Sequence, residues 1–443
     1  MRKRPGDRMP GAMHGLSRRR FLLGSAGIGA GALMLGACGG GDETAGKVGG
    51  EITVWTWPDN DKTFEKTIPL FEKKNPGTKV KVQAFASDQY DSKLLATLVS
   101  GAGPDVAMVE ITNVAKYKGK PGFVNLAEDP YNATKSSGDY ADFSWEYVFD
   151  KEEDRAFVLP KNTGPGGLFY RRDVLEKAGL PTEPDEVNDA FKTWDDYLAE
   201  GRKLAVKDER WLIDTPMSIV GAIRAQAGVS MFDESGKSQL TSDVMVAAVD
   251  YAKQAYDAGL VAPFEQWSQE WGAAIKNGSV ATFLIGNWFG GLVKSVYAPE
   301  SKGQWGVTLA PEYDGNAAFN SGGDFIGILE TSENKATAWE FVKFVTQDPD
   351  SLRTMYREND LYPAWTPALE EDWMNEPDDF YAGQNVNEVF EQVSESMKTP
   401  ITNPDDQAAQ DALTDAVTDV MKGKAETGAA LSAAQARVEK RSG

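Results

Sequence analysis

One histidine, His14, and one cysteine, Cys38, serve a chain of 443 residues. Nucleophilic catalysis of the Ser-His-Asp or Cys-His kind needs a base within hydrogen-bond reach of the nucleophile. Residues 39–443 hold no imidazole and no thiol to build one. Zinc, haem and iron–sulfur ligation lose their usual donors for the same reason. Carboxylates are plentiful, with 67 Asp plus Glu, so glycoside hydrolysis by two carboxyl groups is the enzyme chemistry left open. Carboxylates could also hold calcium, but no EF-hand spacing occurs, and neither metal nor cofactor is expected. All 12 Trp lie after Cys38, which supplies indole faces for a core and for a binding cleft.

Cys38 has a chemistry of its own. Arg2, Lys3, Arg4 and Arg8 open the chain, SRRRFLL follows at 17–23, and residues 21–37 carry no charge. A basic head, a short apolar run and small residues at its end form an export signal. Five glycines loosen the 17-residue run, which falls short of the ~20 residues of a spanning helix. The pair Arg18-Arg19 ahead of Phe21-Leu22 resembles a twin-arginine address. Leu35-Gly36-Ala37-Cys38 resembles a lipobox, whose cysteine is acylated and becomes the new amino terminus. Each buried methylene adds ~0.8 kcal/mol, so acyl chains hold a protein on a membrane. The reading is a signal peptide at 1–37, lipidation at Cys38, and a Gly-rich flexible tether at 38–50. It places the protein outside the cytoplasm, on the outer face of the cell membrane.

The whole chain balances 46 Lys plus Arg against 67 Asp plus Glu, a net charge of −21. Removal of the basic signal makes the remainder more acidic still. Nucleic acid is excluded as a partner, because binding it requires cations that displace counterions. The length after Cys38 exceeds the ~250–300 residues at which one core stops growing, so two domains are expected.

Strands and helices alternate from residue 51. EITVWTW at 51–57 reads as a strand ending at Pro58-Asp59-Asn60, and 62–74 as a helix that Pro69 kinks. Residues 79–82 alternate as a strand; Ser87 caps a helix that runs to Gly101; PDVAMVEI at 104–111 is a buried strand. This order predicts a parallel sheet with right-handed crossovers. After Pro160 the pattern restarts: Gly164-Pro165-Gly166-Gly167 precedes a strand at 168–170. Thr193 and Asp196 form a helix cap, and 218–228 and 243–258 are helical. ATFLIGN at 281–287 is a buried strand. Short strands follow at 306–309 and 325–329, then an amphipathic helix at 335–347 with Ala338, Phe341, Val342 and Val345 on its stripe. Alanine-rich helix fills 407–441.

On these segments the chain resembles the extracellular solute-binding proteins of the sugar-binding group that serves ABC importers, which includes maltose- and lactose-binding proteins. The resemblance rests on WTWPD at 55–59, GAGPDVAMVE at 101–110, LPKNTGPGGLFYRRDVLEKAGLP at 159–181 and TWDDYLAEGRKLA at 193–205. It continues through KNGSVATFLIGNW at 276–288, WGVTLAP at 305–311, SGGDFIGI at 321–328 and LYPAWTPAL at 361–369. It implies an α/β, two-lobed periplasmic-binding-protein-like fold with a ligand cleft between the lobes. Lobe 1 would comprise 51–163 and 311–348, and lobe 2 would comprise 164–310 and 349–443. Crossings would fall near 162–167, 309–312 and 347–351. The implied function is capture of a mono- or oligosaccharide by a monomer, and its delivery to the permease subunits of an ABC importer, without catalysis.

A sugar offers apolar C–H faces and a rim of hydroxyls, so its site needs aromatic platforms and carboxylate or amide groups. In α/β sheets these stand at the carboxyl ends of strands. That criterion selects Trp57 and Asp59, Glu110, and Trp288. Asp324, beside Gly323, follows from the resemblance, and Tyr362 either faces the cleft or packs beneath it. Trp267 and Trp271 could wall the cleft, although core packing is the better reading of both. The competing reading, a secreted glycoside hydrolase, would use Glu110 and Asp324. Its carboxyl groups would stand ~5–5.5 Å apart if retaining and ~6.5–9.5 Å apart if inverting.

Overall fold

The computed structural model describes residues 46–442, which fall within a single folded unit. The signal peptide expected at 1–37, the lipidation expected at Cys38 and the expected tether up to residue 45 lie outside the described residues.

Strands β1 (Gly50–Thr56), β2 (Thr78–Ala84) and β3 (Val106–Glu110) alternate with helices, as the sequence pattern predicts. β1 pairs in parallel with both β2 and β3. A small antiparallel ribbon, β4 (Phe149–Asp150) with β5 (Arg155–Ala156), leads into β6 (Leu159–Arg171). The remaining strands are β7 (Trp211–Ile213), β8 (Val280–Gly286), β9 (Trp305–Thr308), β10 (Asn320–Ile328) and β11 (Tyr362–Pro363). They join in the order β2-β1-β3-β10-β6-β8-β7, with β9 and β11 also on β6. The sheet is therefore mixed: β10 runs antiparallel to β3 and β6, and β7 and β8 are parallel.

The sequence places a Pro/Gly break at 164–167, but the structure runs one 13-residue strand straight through it. The first part of β6 pairs with β10 and β11, and the last part with β8 and β9. Its glycines serve close approach. A Cβ on Gly164 would sit 2.8 Å from the Gly322 backbone, and one on Gly166 would sit 2.3 Å from the Phe319 ring. Gly is the residue for a strand that another backbone crowds.

Helices cover both faces of the sheet, because alternate residues of a buried strand face opposite sides. Along β3, Val106 and Met108 join one core with Ile52, Phe71 and Phe341, while Ala107 and Val109 join another with Leu94, Phe123 and Phe157. Along the end of β6, Leu168 and Tyr170 pack with the helices at Pro216–Ala227 and Asp243–Asp257. Phe169 faces the other way, toward Phe289, Trp305 and Phe390. The stripe Ala338, Phe341, Val342 and Val345 is fully buried on the helix Lys335–Gln347.

Three local expectations are corrected. The first helix divides at Lys66 into Lys62–Glu65 and Thr67–Lys74. Pro69 then falls in a first turn, where its missing N–H costs nothing. Ser87 is the first helical residue and Ala86 the cap, with no side-chain capping bond. The alanine-rich end is two helices, Asp406–Met421 and Thr427–Ser442, separated at the left-handed Gly423. Thr193 and Asp196 form the expected reciprocal cap.

Candidate functional site

β3 ends at Glu110, and the antiparallel ladder sets Asp324 of β10 directly opposite it. Two carboxylates placed side by side in a protein interior resist ionising together. Burial, with Asp324 adding to it, pushes the Glu110 carboxyl up to about 7; the Thr112 hydroxyl works against this by donating to Glu110 Oε2. Glu110 is thus poised near neutrality, able to accept a hydrogen bond or to donate one.

Asp324 answers to a residue the sequence reading passed over. Lys161 is fully buried in β6, its Nζ 3.9 Å from Asp324 Oδ2 and 3.3 Å from Asn162 Oδ1. Asn60 Nδ2 donates to the same Asp324 oxygen at 3.3 Å. Burial brings Lys161 down to about 8 against the pull of Asp324, and burial raises Asp324 against the pull of Lys161 and Asn60. The signal lay in PKN at 160–162: one lysine in a strand that carries no other charge until Arg171.

Glu110 lines a cavity of ≈ 360 Å³ together with Tyr147, Arg224, Trp288, Asn320 and Asp406. Trp288 follows β8, half-buried, and its Nε1 donates to the Ser321 carbonyl at 2.6 Å. Gly322 lies against that indole: a Cβ there would stand 2.6 Å from Nε1, and its φ of 122° is itself one that favours glycine. Gly323, at φ 138°, uses its carbonyl to accept the Ile111 N–H at 3.1 Å, which ties β10 to the turn after β3.

The opposite wall comes from helices. Arg224 sits in the last turn of Pro216–Ala227 and donates to the Val229 carbonyl at 3.1 Å. Burial raises the Asp406 carboxyl to about 6, against the Asn403 amide and the Arg224 charge. Among the described residues, the buried acceptors Asn320 Oδ1 and Asp406 Oδ1 find no hydrogen-bond donor. Both belong to residues that line the cavity, but the two oxygens are themselves buried, so what the lining offers is an indole beside a carboxyl group. Arg224 and Asp406 belong to no motif, and only the folded chain brings them to Glu110.

The sequence-selected residues therefore separate. Glu110 and Trp288 line the cavity, while Asp324 and Gly323 stand next to its lining residues in β10. Trp57 packs edge-on against Tyr90 at 5.4 Å. Asp59 occupies a left-handed turn position and pairs with Lys62 at 2.9 Å. Tyr362 is 2% exposed, its ring 6.5 Å from Phe390 in the core, because β11 lays it against β6. None of these three lines the cavity. Trp271 is core, as read, but Trp267 is 56% exposed. Among the described residues no group of three or more His, Cys, Asp or Glu is placed to hold a metal ion, and no helix is long and apolar enough to cross a membrane.

Residues 55–350, about two thirds of the chain, match the family described as bacterial extracellular solute-binding protein. A lactose-binding protein of Rhizobium radiobacter is 27% identical over 356 residues, 77% of this chain and 81% of the relative. An arabinooligosaccharide-binding protein of Bacillus subtilis is 24% identical over 342 residues, 73% of this chain and 75% of the relative. Among solved structures, an ABC transporter associated binding protein from B. animalis subsp. lactis, in complex with β-1,6-galactobiose, aligns with a TM-score of 0.75 at 24% identity. The alignment covers 88% of this chain and 97% of that one. The two-lobed α/β fold expected from the sequence is the fold of these structures, and with a family match over most of its length the chain belongs to the bacterial extracellular solute-binding proteins.

Proposed function

We propose that the protein captures a short saccharide in the cavity between β3, β10 and the Arg224 helix, and hands it unchanged to an ABC importer. The observation that carries this reading is the lining: an indole beside a carboxyl poised near pH 7. A hydroxyl-rimmed ring with an apolar face complements both. The sugars named for the relatives, lactose and arabinooligosaccharides, support the same class.

The lobes we propose follow the cores. Ile52 to Leu159 and Phe325 to Val345 pack together, while Leu168 to Phe319 and most apolar residues from Leu352 onward pack elsewhere. The crossings then lie within β6, at the start of β10, and near Asp348. Closure about such crossings is a hinge motion of a few backbone positions.

Glu110 and Asp324 are cross-strand neighbours, close enough to suggest a hydrolase. Only Glu110 lines the cavity, however, and Asp324 serves Lys161. A glycosidase needs both carboxyls flanking the scissile bond, so binding without cleavage is the better reading. Export by a twin-arginine signal and anchoring through Cys38 complete the proposal, with a monomer as the working unit.

A thermal-shift panel of mono- and oligosaccharides on residues 39–443, with the sugars analysed afterwards, tests it. Ligand at 100 times Kd adds ~2.7 kcal/mol of stability. A raised melting temperature with intact sugar supports the reading; cleaved sugar replaces it with the hydrolase; no shift from any sugar ends it.

A further inference from the structure

Trp267 breaks two rules at once. Its indole is 56% exposed, and its backbone has a φ of 67°. For a bulky residue that region is a genuine outlier, kept only where the surroundings over-determine it. Here they do. On one side, Gln266 Nε2 donates to the buried Asp214 carboxylate at 2.8 Å, which also accepts Trp271 Nε1 at 2.9 Å. On the other, Ser268 caps the next helix, accepting the Trp271 amide at 3.1 Å and donating to the Glu265 carbonyl at 2.7 Å. The chain is fastened on both flanks of Trp267, and the ring between them is tilted against buried Trp271 at 4.9 Å while more than half of the residue stays open to water.

The ring is also aimed. It lies within 17° of parallel to Trp288, centroids 5.9 Å apart. Trp288 lines the inner cavity, whereas Trp267 lines a separate open groove of ≈ 400 Å³ with Tyr297, Gln269 and Lys276. Gly272 leaves room for Tyr297, whose ring would stand 3.1 Å from a Cβ there. Burial and then the Asp59 charge raise the Tyr297 phenol, so the Asp59 turn lies within electrostatic reach of this groove. The stacked tryptophan pair links the lining of the cavity to the lining of the groove.

We infer that the groove beside Trp267 is an outer carbohydrate subsite, where the apolar face of a further sugar ring of a bound oligosaccharide stacks on the exposed indole. The inference rests on the sugar-binding reading and adds a length requirement to it. The inner cavity lies at the small end of the ~300–1,000 Å³ range of ligand sites, so a short saccharide fills it without reaching Trp267. Each additional ring continues past Trp288 into the groove, and Trp267 thereby selects longer chains.

The test compares residues 39–443 with the Trp267→Ala and Trp267→Phe variants by titration calorimetry. The probes are galacto- and arabino-oligosaccharides of two to five units. Trp267 is exposed, so both variants should keep the wild-type melting temperature. The expected result is a disaccharide Kd within about twofold of wild type, and a tetrasaccharide Kd weakened about tenfold by Ala and less by Phe. Equal weakening at every length would overturn the subsite and make Trp267 a support for Trp288. Unchanged affinity at every length would overturn it too, and would turn the exposed indole toward a protein partner. Failure of the wild-type protein to bind any sugar removes the sugar-binding reading, and the subsite with it.

Discussion

Burial holds the Glu110 carboxyl at about 7 in the folded chain, against the 4.5 of an ordinary glutamate. Between these values the folded state binds more protons than the unfolded one, so stability falls as pH rises through that window. Glu110→Gln should flatten the fall in melting temperature between pH 5 and 7; an unchanged slope would place the titration on other groups, Asp406 first. Trp288→Ala should weaken sugar binding by ~1–3 kcal/mol while the fold survives, since it removes a stacking face. Calorimetry showing unchanged affinity would make the indole a hinge packing residue, through its bond to Ser321. Lys161→Ala leaves Asp324 facing a void in place of its cation. It should cost about 3 kcal/mol or more in denaturant unfolding, and Lys161→Met with Asp324→Asn should recover most of it. At this scale the sequence was legible where a strand ended in a useful side chain, as at Glu110 and Trp288. It was opaque where chemistry depended on what stood opposite: nothing near Lys161 in the chain announces Asp324.

Among the elements, β6 shows why composition misleads. Prolines and glycines at 160–167 read as a break because they usually are one. In this chain they let a strand run under another at contact distance, and the evidence for that lies some 155 residues downstream, at Gly322. Gly164→Ala should therefore cost ~1–3 kcal/mol of stability by overpacking, because its 2.8 Å neighbour is backbone and cannot rotate away. Chemical denaturation with the wild-type midpoint would show that β10 shifts freely at this crossing. The helices at Lys335–Gln347 and Asp243–Asp257, by contrast, were readable within a few residues of their ends. Their periodic stripes are local facts, and the tertiary structure had no reason to override them.

For the whole molecule, the order of α/β segments indicated the class of fold, the resemblance of stretches such as GAGPDVAMVE and SGGDFIGI indicated the family, and the composition of residues 39–443 narrowed the chemistry to carboxylates and aromatics. The wall contributed by Arg224 and Asp406 stayed hidden, because those residues lie some 180 apart and share no spacing rule. Cys38 carries the remaining prediction at this scale. Cys38→Ser should move the protein from the membrane fraction to the soluble one; retention at the membrane would show that the anchor lies elsewhere.

The pairing of Glu110 with Asp324 has a consequence in time. Between synthesis of the two residues the ribosome adds 213 others, and at ~5–20 residues per second that takes roughly 10–40 s. Throughout that interval one side of β3 waits for its neighbour, an open edge of the kind on which chains aggregate. The sheet cannot close until β10 has left the ribosome. Such a chain suits an export route that accepts finished cargo, the kind of route that the proposed twin-arginine signal at Arg18 and Arg19 would address.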